Sequence, residues 1–195
     1  ASGGSSTPST DWRHYSYTAE ELSAIAREAH RVGKVTAAHC HSKTSIRNAI
    51  AAGIDSIEHC SFVDDITGQR DYDPEAVSEM ARRGIYASPC IQTNWRRYQD
   101  LKARENDLSA AQKRSMETIF AGTTVRMRNL RRMHEAGVKI VAGTDSMETF
   151  GDFSLGLEMM VEAGFTAKEA IRSATAEAAQ AIGIGGVTGS VQPGL

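Results

Sequence analysis

Val35-Thr36-Ala37-Ala38-His39-Cys40-His41 decides how this chain reads: a short run of small and β-branched residues after Gly33 that ends in two imidazoles with a thiol between them. Such a run is the pattern of a buried strand. Side chains alternate along a strand, so His39 and His41 point one way and Cys40 the other. Chemistry is expected at the strand's end.

The unit recurs on both sides of this stretch. Upstream, Thr18 and Glu21 form a capping box that opens a helix with Leu22, Ile25, Ala26 and Ala29 on one face, closed by Gly33. Downstream, residues 46–52 read as a short helix ended by Gly53, and Ile54 to His59 as the next strand. Asp73-Pro74 supplies a cap and a first-turn proline for a helix that Gly84 ends, and Ile85 to Pro89 is a third strand closing on Cys90. His39, His59 and Cys90 each lie six residues beyond a glycine, which suggests equivalent places in successive strands. Val138 to Asp145 is the fourth strand, and it delivers a carboxylate where the earlier ones delivered histidines.

Between these units the chain is less regular. Residues 1–17 read as loop, in which Trp12, Tyr15 and Tyr17 form an aromatic group, more simply a packed loop than a pocket wall. Residues 91–107 turn polar and read as a long excursion at a strand's end, a place where loops carry function. Ser109 opens a long helical region to Gly137 with an expected interruption near Gly122-Thr123-Thr124, its methionines being core packing. His30 and His134 read as helix-end residues. Later helices are expected at Leu155 to Ala163, after the Thr166/Glu169 box and from Thr175.

Four helix-glycine-strand units in series are the signature of parallel β/α architecture, whose loops at the strands' carboxyl ends hold the chemistry. No glycine-rich phosphate loop of the GxGxxG or Walker kind is present, so a closed barrel is favoured over a nucleotide-binding sheet. Four units make half of one.

Composition narrows the classes. A length of 195 residues with 41% hydrophobic and 24% charged content suits one soluble globular domain and excludes disorder. A net charge of -2 without a basic stripe argues against nucleic acid, and no apolar run suits a membrane span. Three cysteines cannot form a fully paired disulfide framework and fit a reducing, cytoplasmic compartment. The glycine-rich start and the Pro193-Gly194-Leu195 end are expected to be cuts within a longer protein.

His39, His59 and Asp145, each ending a different strand, would converge on the barrel axis, and two imidazoles with a carboxylate suit a divalent metal such as zinc. One buried histidine alone would more simply hydrogen-bond backbone; three coordinated placements favour metal. His41 lies further out and reads as a substrate-binding residue, in contact with a substrate carboxylate, with Lys43 and Arg47 as basic neighbours. Cys40 and Cys60 read as packing, Glu58 as a partner of the surrounding shell, and Asp64-Asp65 as the start of a solvated loop or cap.

The segment VTAAHCHSKTSIRNAIAAGIDSIEHCSFVDD at 35–65, with VAGTDS at 141–146 and the opening ASGG, resembles the carboxyl half of the amidohydrolase superfamily. The likeness covers most of the chain and points to the imidazolonepropionase-like and Xaa-Pro dipeptidase (prolidase-like) branch. It implies a (β/α)8 TIM-like barrel of metal-dependent hydrolase type, of which this chain supplies roughly the second half. Residues 1–186 would be that half, and 187–195 the start of the return to a small β-sandwich. It further implies His39 and His59 as metal ligands from the fifth and sixth strands, and Asp145 as both metal ligand and catalytic proton shuttle from the eighth. One or two ions, most simply zinc, would activate a hydroxide for attack on an amide carbonyl. The family's first-strand His-x-His and its bridging lysine, often carboxylated, are expected upstream of Ser2-Gly3-Gly4. Cys60 stands where many relatives carry glycine.

The function so indicated is hydrolysis of amide or peptide C–N bonds in a small molecule or dipeptide, by a dipeptidase or an N-acyl-amino-acid hydrolase. Cyclic-amide hydrolysis is the alternative within the same chemistry. From other classes, the barrel could persist as a non-catalytic binding domain, or Cys40, Cys60 and Cys90 could build a structural zinc site. Candidate partners are the N-terminal remainder of the same protein and a second copy in a homo-oligomer.

Overall fold

The computed structural model describes residues 1–5, 7–145 and 152–193. Their elements alternate: α1 (Ala19–Arg31), β1 (Ala37–Ser42), α2 (Lys43–Ala52), β2 (Ser56–Val63), α3 (Pro74–Arg83), β3 (Tyr86–Ser88), α4 (Trp95–Ala103), a 3-10 turn (Glu105–Asp107), α5 (Ala110–Glu135), β4 (Lys139–Ile140), α6 (Phe153–Glu162), α7 (Ala167–Ser173) and α8 (Ala176–Ala181). The strands form one parallel sheet in the order β1-β2-β3-β4. Sequential parallel pairing requires a crossover between each pair, which the helices provide.

The helix ends are where their capping residues put them. Thr18 and Glu21 close a reciprocal box on α1, Ser109 and Gln112 on α5, and Thr166 and Glu169 on α7. Asp73 accepts the Ala76 N–H ahead of Pro74, and Gly53 and Gly84 end α2 and α3 at φ 79° and 70°, a left-handed turn that favours glycine. Helix α2 begins three residues before the sequence pattern suggested, because Ser42 accepts the Ser45 N–H as its cap.

Two expectations are corrected here. Helix α5 runs unbroken through Gly122-Thr123-Thr124: Thr124 Oγ1 bonds back to the Phe120 carbonyl, and Thr123 is buried. The polar stretch at 91–107 is largely helical, with Leu101 packed on Leu108 and Met116 of α5 in a small cluster of its own, joined by Tyr98 and Ile119.

The main core lies between the sheet and its helices. Ala38, Cys40, Ile57, Ala87 and Ile140 from the strands pack with Ile46, Val77, Met80, Leu130 and Met133 from the helices. Each fully buried Ile, Val, Leu or Met among them contributes about 1.5–3 kcal/mol. The other face carries Ser56, Glu58 and Ser88, which line a separate cavity bordered by Ala178 and Ala181 of α8 and by Ile182 at its end. Polar residues on the second face therefore alternate with core residues on the first.

The fourth strand is shorter than the sequence suggested. Val141 N still bonds to Ala87 O, but Ala142 N turns to the Ser173 carbonyl at the end of α7, so the chain leaves the sheet before Asp145. Ser146, the last residue of the VAGTDS motif, lies outside the described residues, as do Gly194 and Leu195 of the tail. Among the described residues, no helix is long and apolar enough to cross a membrane.

Candidate metal centre

Three imidazoles meet at the carboxyl ends of β1 and β2. One ring nitrogen from each of His39, His41 and His59 falls within 4.8 Å of the others, and ring centroids are 4.4–4.7 Å apart. His41, which the sequence reading set apart as a substrate contact, thus stands in the same cluster as the two proposed ligands. It is 6% exposed.

His59 reaches the cluster by breaking strand alternation. In the ladder His39 pairs with Glu58, and His59 pairs with Cys40, a residue of the helix-facing core. The equal six-residue offsets from glycine therefore do not give equal register. His59 has φ 68° and Cys60 φ 45°, and this left-handed pair turns the imidazole to the opposite face. Cys90 and Asp145 also adopt left-handed φ, 46° and 42°. Non-glycine residues in this region store strain, commonly at functional sites.

Neighbours fix the ring hydrogens. The Gly3 carbonyl, 3.2 Å from His39 Nε2, can only accept, so Nε2 carries the hydrogen and Nδ1 presents its lone pair. That lone pair faces His59 Nε2 at 2.9 Å. His41 Nδ1 is held by Ser61 Oγ at 2.9 Å, leaving Nε2 free of that anchor. Anchoring one ring nitrogen by a backbone or hydroxyl group while the other faces the cluster is how metal-binding histidines are oriented. Asp145 is half-exposed at the edge, its Oδ2 3.9 Å from His59 Nδ1.

Electrostatics favour the neutral form of His41 and His59, the state in which imidazole binds a metal. Burial, followed by the neighbouring charges of His59 and His39, lowers the His41 pKa to about 3, with Arg70 and Arg126 adding to the shift. Burial and His39 also lower His59, against a smaller opposing pull from Asp145. The donor set fits a borderline-soft divalent ion. Two nitrogen ligands on a tetrahedral zinc ion stand roughly 3.3 Å apart, so the 2.9 Å His39–His59 pair would have to open slightly, and His59 would have to move its hydrogen from Nε2 to Nδ1, to offer both lone pairs.

The thiols make no such group. Cys40, Cys60 and Cys90 are free and buried, and burial raises all three pKa values, Cys90 to about 12. Cys40 and Cys60 donate instead to the Ser45 and Ile57 carbonyls. Among the described residues, the histidine cluster is the grouping suited to a metal.

His41, His59 and Asp145 open on a cavity of about 460 Å³, which Trp12, Arg70 and Arg126 also line. Trp12 stands edge-on to His41, with centroids 5.8 Å apart, so it forms a pocket wall rather than loop packing. Tyr15 and Tyr17 remain exposed. Lys43 and Arg47 are committed elsewhere: Lys43 Nζ to Asp71 at 2.5 Å and Arg47 Nε to Asp73 at 2.7 Å. Arg70 and Arg126 were not singled out by sequence, since nothing in GQR or TVRMR distinguishes them from other scattered arginines. Glu58 accepts the Ser56 hydroxyl, and Asp64 the Ile66 and Thr67 N–H groups of its turn. His30 bonds to Asp55 at 2.8 Å, while His134 stacks on Phe165 and approaches Glu169 at 3.5 Å.

The model of the amidohydrolase family matches residues 1–195. The chain belongs to that family. This amidohydrolase chain is 30% identical over 184 residues to an ochratoxinase of Aspergillus niger, covering 94% of the chain but 35% of the relative. The crystal structure of A. niger ochratoxinase superposes with a TM-score of 0.75 at 30% identity, over 100% of the chain and 41% of that structure. A Xaa-Pro dipeptidase solved with methionine in its active site superposes with a TM-score of 0.70, also at 30% identity, over 90% of the chain and 40% of that structure. The chain thus spans little more than a third of its curated relative, and its four parallel β/α units correspond to part of a TIM barrel.

Proposed function

We propose that this amidohydrolase chain contributes half of a divalent-metal site that hydrolyses the amide C–N bond of a dipeptide or an N-acyl amino acid. The observation that carries this reading is the cluster of three imidazoles, with ring nitrogens anchored by Gly3 O and Ser61 Oγ and with Asp145 at its edge. The family and its amide-cleaving relatives support it, and the dipeptidase relative with bound methionine favours substrates built from amino acids.

In this reading His39, His59 and Asp145 hold the ion, zinc being the one an imidazole-rich set favours, and His41 stands beside them. When bound, such an ion polarises a carbonyl and makes water a better nucleophile near neutral pH. The chain's own groups do the rest. Asp145 Oδ2 takes a proton from the attacking water as its oxygen bonds to the carbonyl carbon, then returns it to the amine nitrogen as the C–N bond breaks. Its half-exposed position at the edge of the cavity leaves it room to move between the two. The upstream barrel half, with its His-x-His and carboxylated lysine, would complete the metal set. Residues 1–186 form the carboxyl half of the barrel, and 187–195 lead toward a small β-sandwich.

The test is hydrolysis by the full-length, metal-loaded protein on a panel of dipeptides, N-acyl amino acids and small lactams. Cleavage of the first two classes and a loss of about 10²–10⁴ in kcat for Asp145→Asn are expected. Unchanged turnover in Asp145→Asn would remove it as the proton carrier. Absence of any turnover would make the barrel a binding domain.

A further inference from the structure

Two arginines share the cavity of the imidazole cluster, and among the described residues neither forms a salt bridge with a carboxylate. Arg70 is fixed by the antiparallel bridge of its backbone to Val63, and its guanidinium lies over the Trp12 ring at 5.1 Å. Arg126, midway along α5, donates from Nη2 to the Thr93 carbonyl at 2.9 Å and the Thr123 hydroxyl at 2.8 Å. The Nε–H of each is buried and has no partner among the described residues.

This arrangement is unfavourable as it stands. Burial lowers the pKa of both groups, and the like charge of Arg70 lowers Arg126 further, to about 10. A desolvated charge without a counter-ion is costly, and two that repel each other are worse. Other arginines pair with carboxylates, as Arg47 with Asp73 and Arg96 with Asp152. Arg70 and Arg126, both largely desolvated, open instead on the cavity of the proposed metal site.

We propose that Arg70 and Arg126 together bind the carboxylate of the substrate, orienting it so that the adjacent amide lies at the imidazole cluster. The inference rests on the proposed hydrolase reading and narrows its substrate to N-acyl α-amino acids and dipeptides with a free carboxyl terminus. Only one carbon separates the amide nitrogen of such a molecule from its carboxylate, so both ends fit a 460 Å³ cavity. A planar guanidinium matches the two carboxylate oxygens. Trp12 holds Arg70 by its ring face, while Pro89 and Ile119 offer apolar lining for the residue's side chain. This role passes from His41, Lys43 and Arg47 to the two arginines.

The test separates recognition from turnover. Full-length, metal-loaded protein is titrated calorimetrically with N-methanesulfonyl-L-leucine, whose sulfonamide mimics the amide without being cleaved, and with its carboxamide. The acid is expected to bind at least about tenfold more tightly than the carboxamide, and Arg70→Met to weaken the acid about 10- to 100-fold while changing the carboxamide by less than about threefold. Arg126→Met should do the same, but its loss of the Thr93 and Thr123 bonds can also loosen α5. Arg70, with no side-chain hydrogen bond to lose among the described residues, is therefore the deciding variant, checked by a melting temperature that does not fall. Equal affinity for acid and carboxamide, or an acid preference that survives Arg70→Met, overturns the assignment. Failure of the hydrolase reading shows separately, as absence of turnover on the substrate panel.

Discussion

His59 is registered across the sheet from Cys40, yet its Nε2 lies 2.9 Å from Nδ1 of His39. Strand geometry alone would have sent the two imidazoles to opposite faces. The left-handed backbone at His59 and Cys60 reverses that direction and places both rings in one cluster. The proposed metal site therefore depends on a locally strained segment held by the packing around it, including Phe62, which is fully buried at φ 50°.

That dependence predicts an asymmetry between two similar cysteines. Cys40 and Cys60 are 0% and 3% exposed, but only Cys60 is left-handed. A β-branched side chain is poorly tolerated there, so Cys60→Val should destabilise the protein by about 2 kcal/mol more than Cys40→Val. Cys60→Gly relieves about 1 kcal/mol of strain and loses a similar amount of burial, so it should be near neutral. Urea unfolding of the three variants measures this; equal costs for the two valine substitutions would refute the strain.

Acid should destabilise the metal-free protein through its buried histidines. Burial and the neighbouring imidazoles hold His41 at about 3, against an ordinary value of 6.5. Between those pH values the unfolded chain binds a proton that the folded chain does not, so stability is full above about pH 6.5 and falls as pH drops toward 3. His41 supplies a slope of at most about 1.4 kcal/mol per pH unit, to which His59, shifted in the same direction, adds. Urea midpoints at pH 7, 6 and 5 should decline in the wild type and decline less in His41→Asn. Identical slopes would contradict the burial argument.

Gly143 is predicted to be intolerant of even one methyl group. A Cβ there would lie 2.6 Å from Ser88 Oγ and 3.4 Å from Cys90 Sγ, in the segment that carries Asp145. Gly143→Ala should cost about 1–3 kcal/mol by overpacking, and adding Ser88→Ala should recover most of it. A double variant no more stable than the single one would show that the cost arises elsewhere.

Much of the fold was legible because its punctuation is chemical. Thr18, Asp73 and Thr166 cap helices, Gly53 and Gly84 end them, and apolar runs between such signals make a parallel sheet. What eluded sequence was set by tertiary packing. Alternation cannot anticipate the reversal at His59, where the backbone turns left-handed. The continuity of α5 past Gly122 goes with the burial of Thr123, which local pattern does not announce. Arg70 and Arg126 are 56 positions apart and resemble surface arginines until the fold brings both to one cavity. Lys43 and Arg47 show the converse, because their nearness to His41 in sequence ends in pairing with Asp71 and Asp73.

The most direct test of the account is the divalent-metal content of the full-length protein after zinc loading and exhaustive dialysis, compared with that of a His39→Asn/His59→Asn double variant of unchanged secondary structure. At least one tightly held ion per chain in the wild type, and fewer in the double variant, is the predicted result. A wild-type protein that retains no ion, or a double variant that retains the full amount, would contradict it.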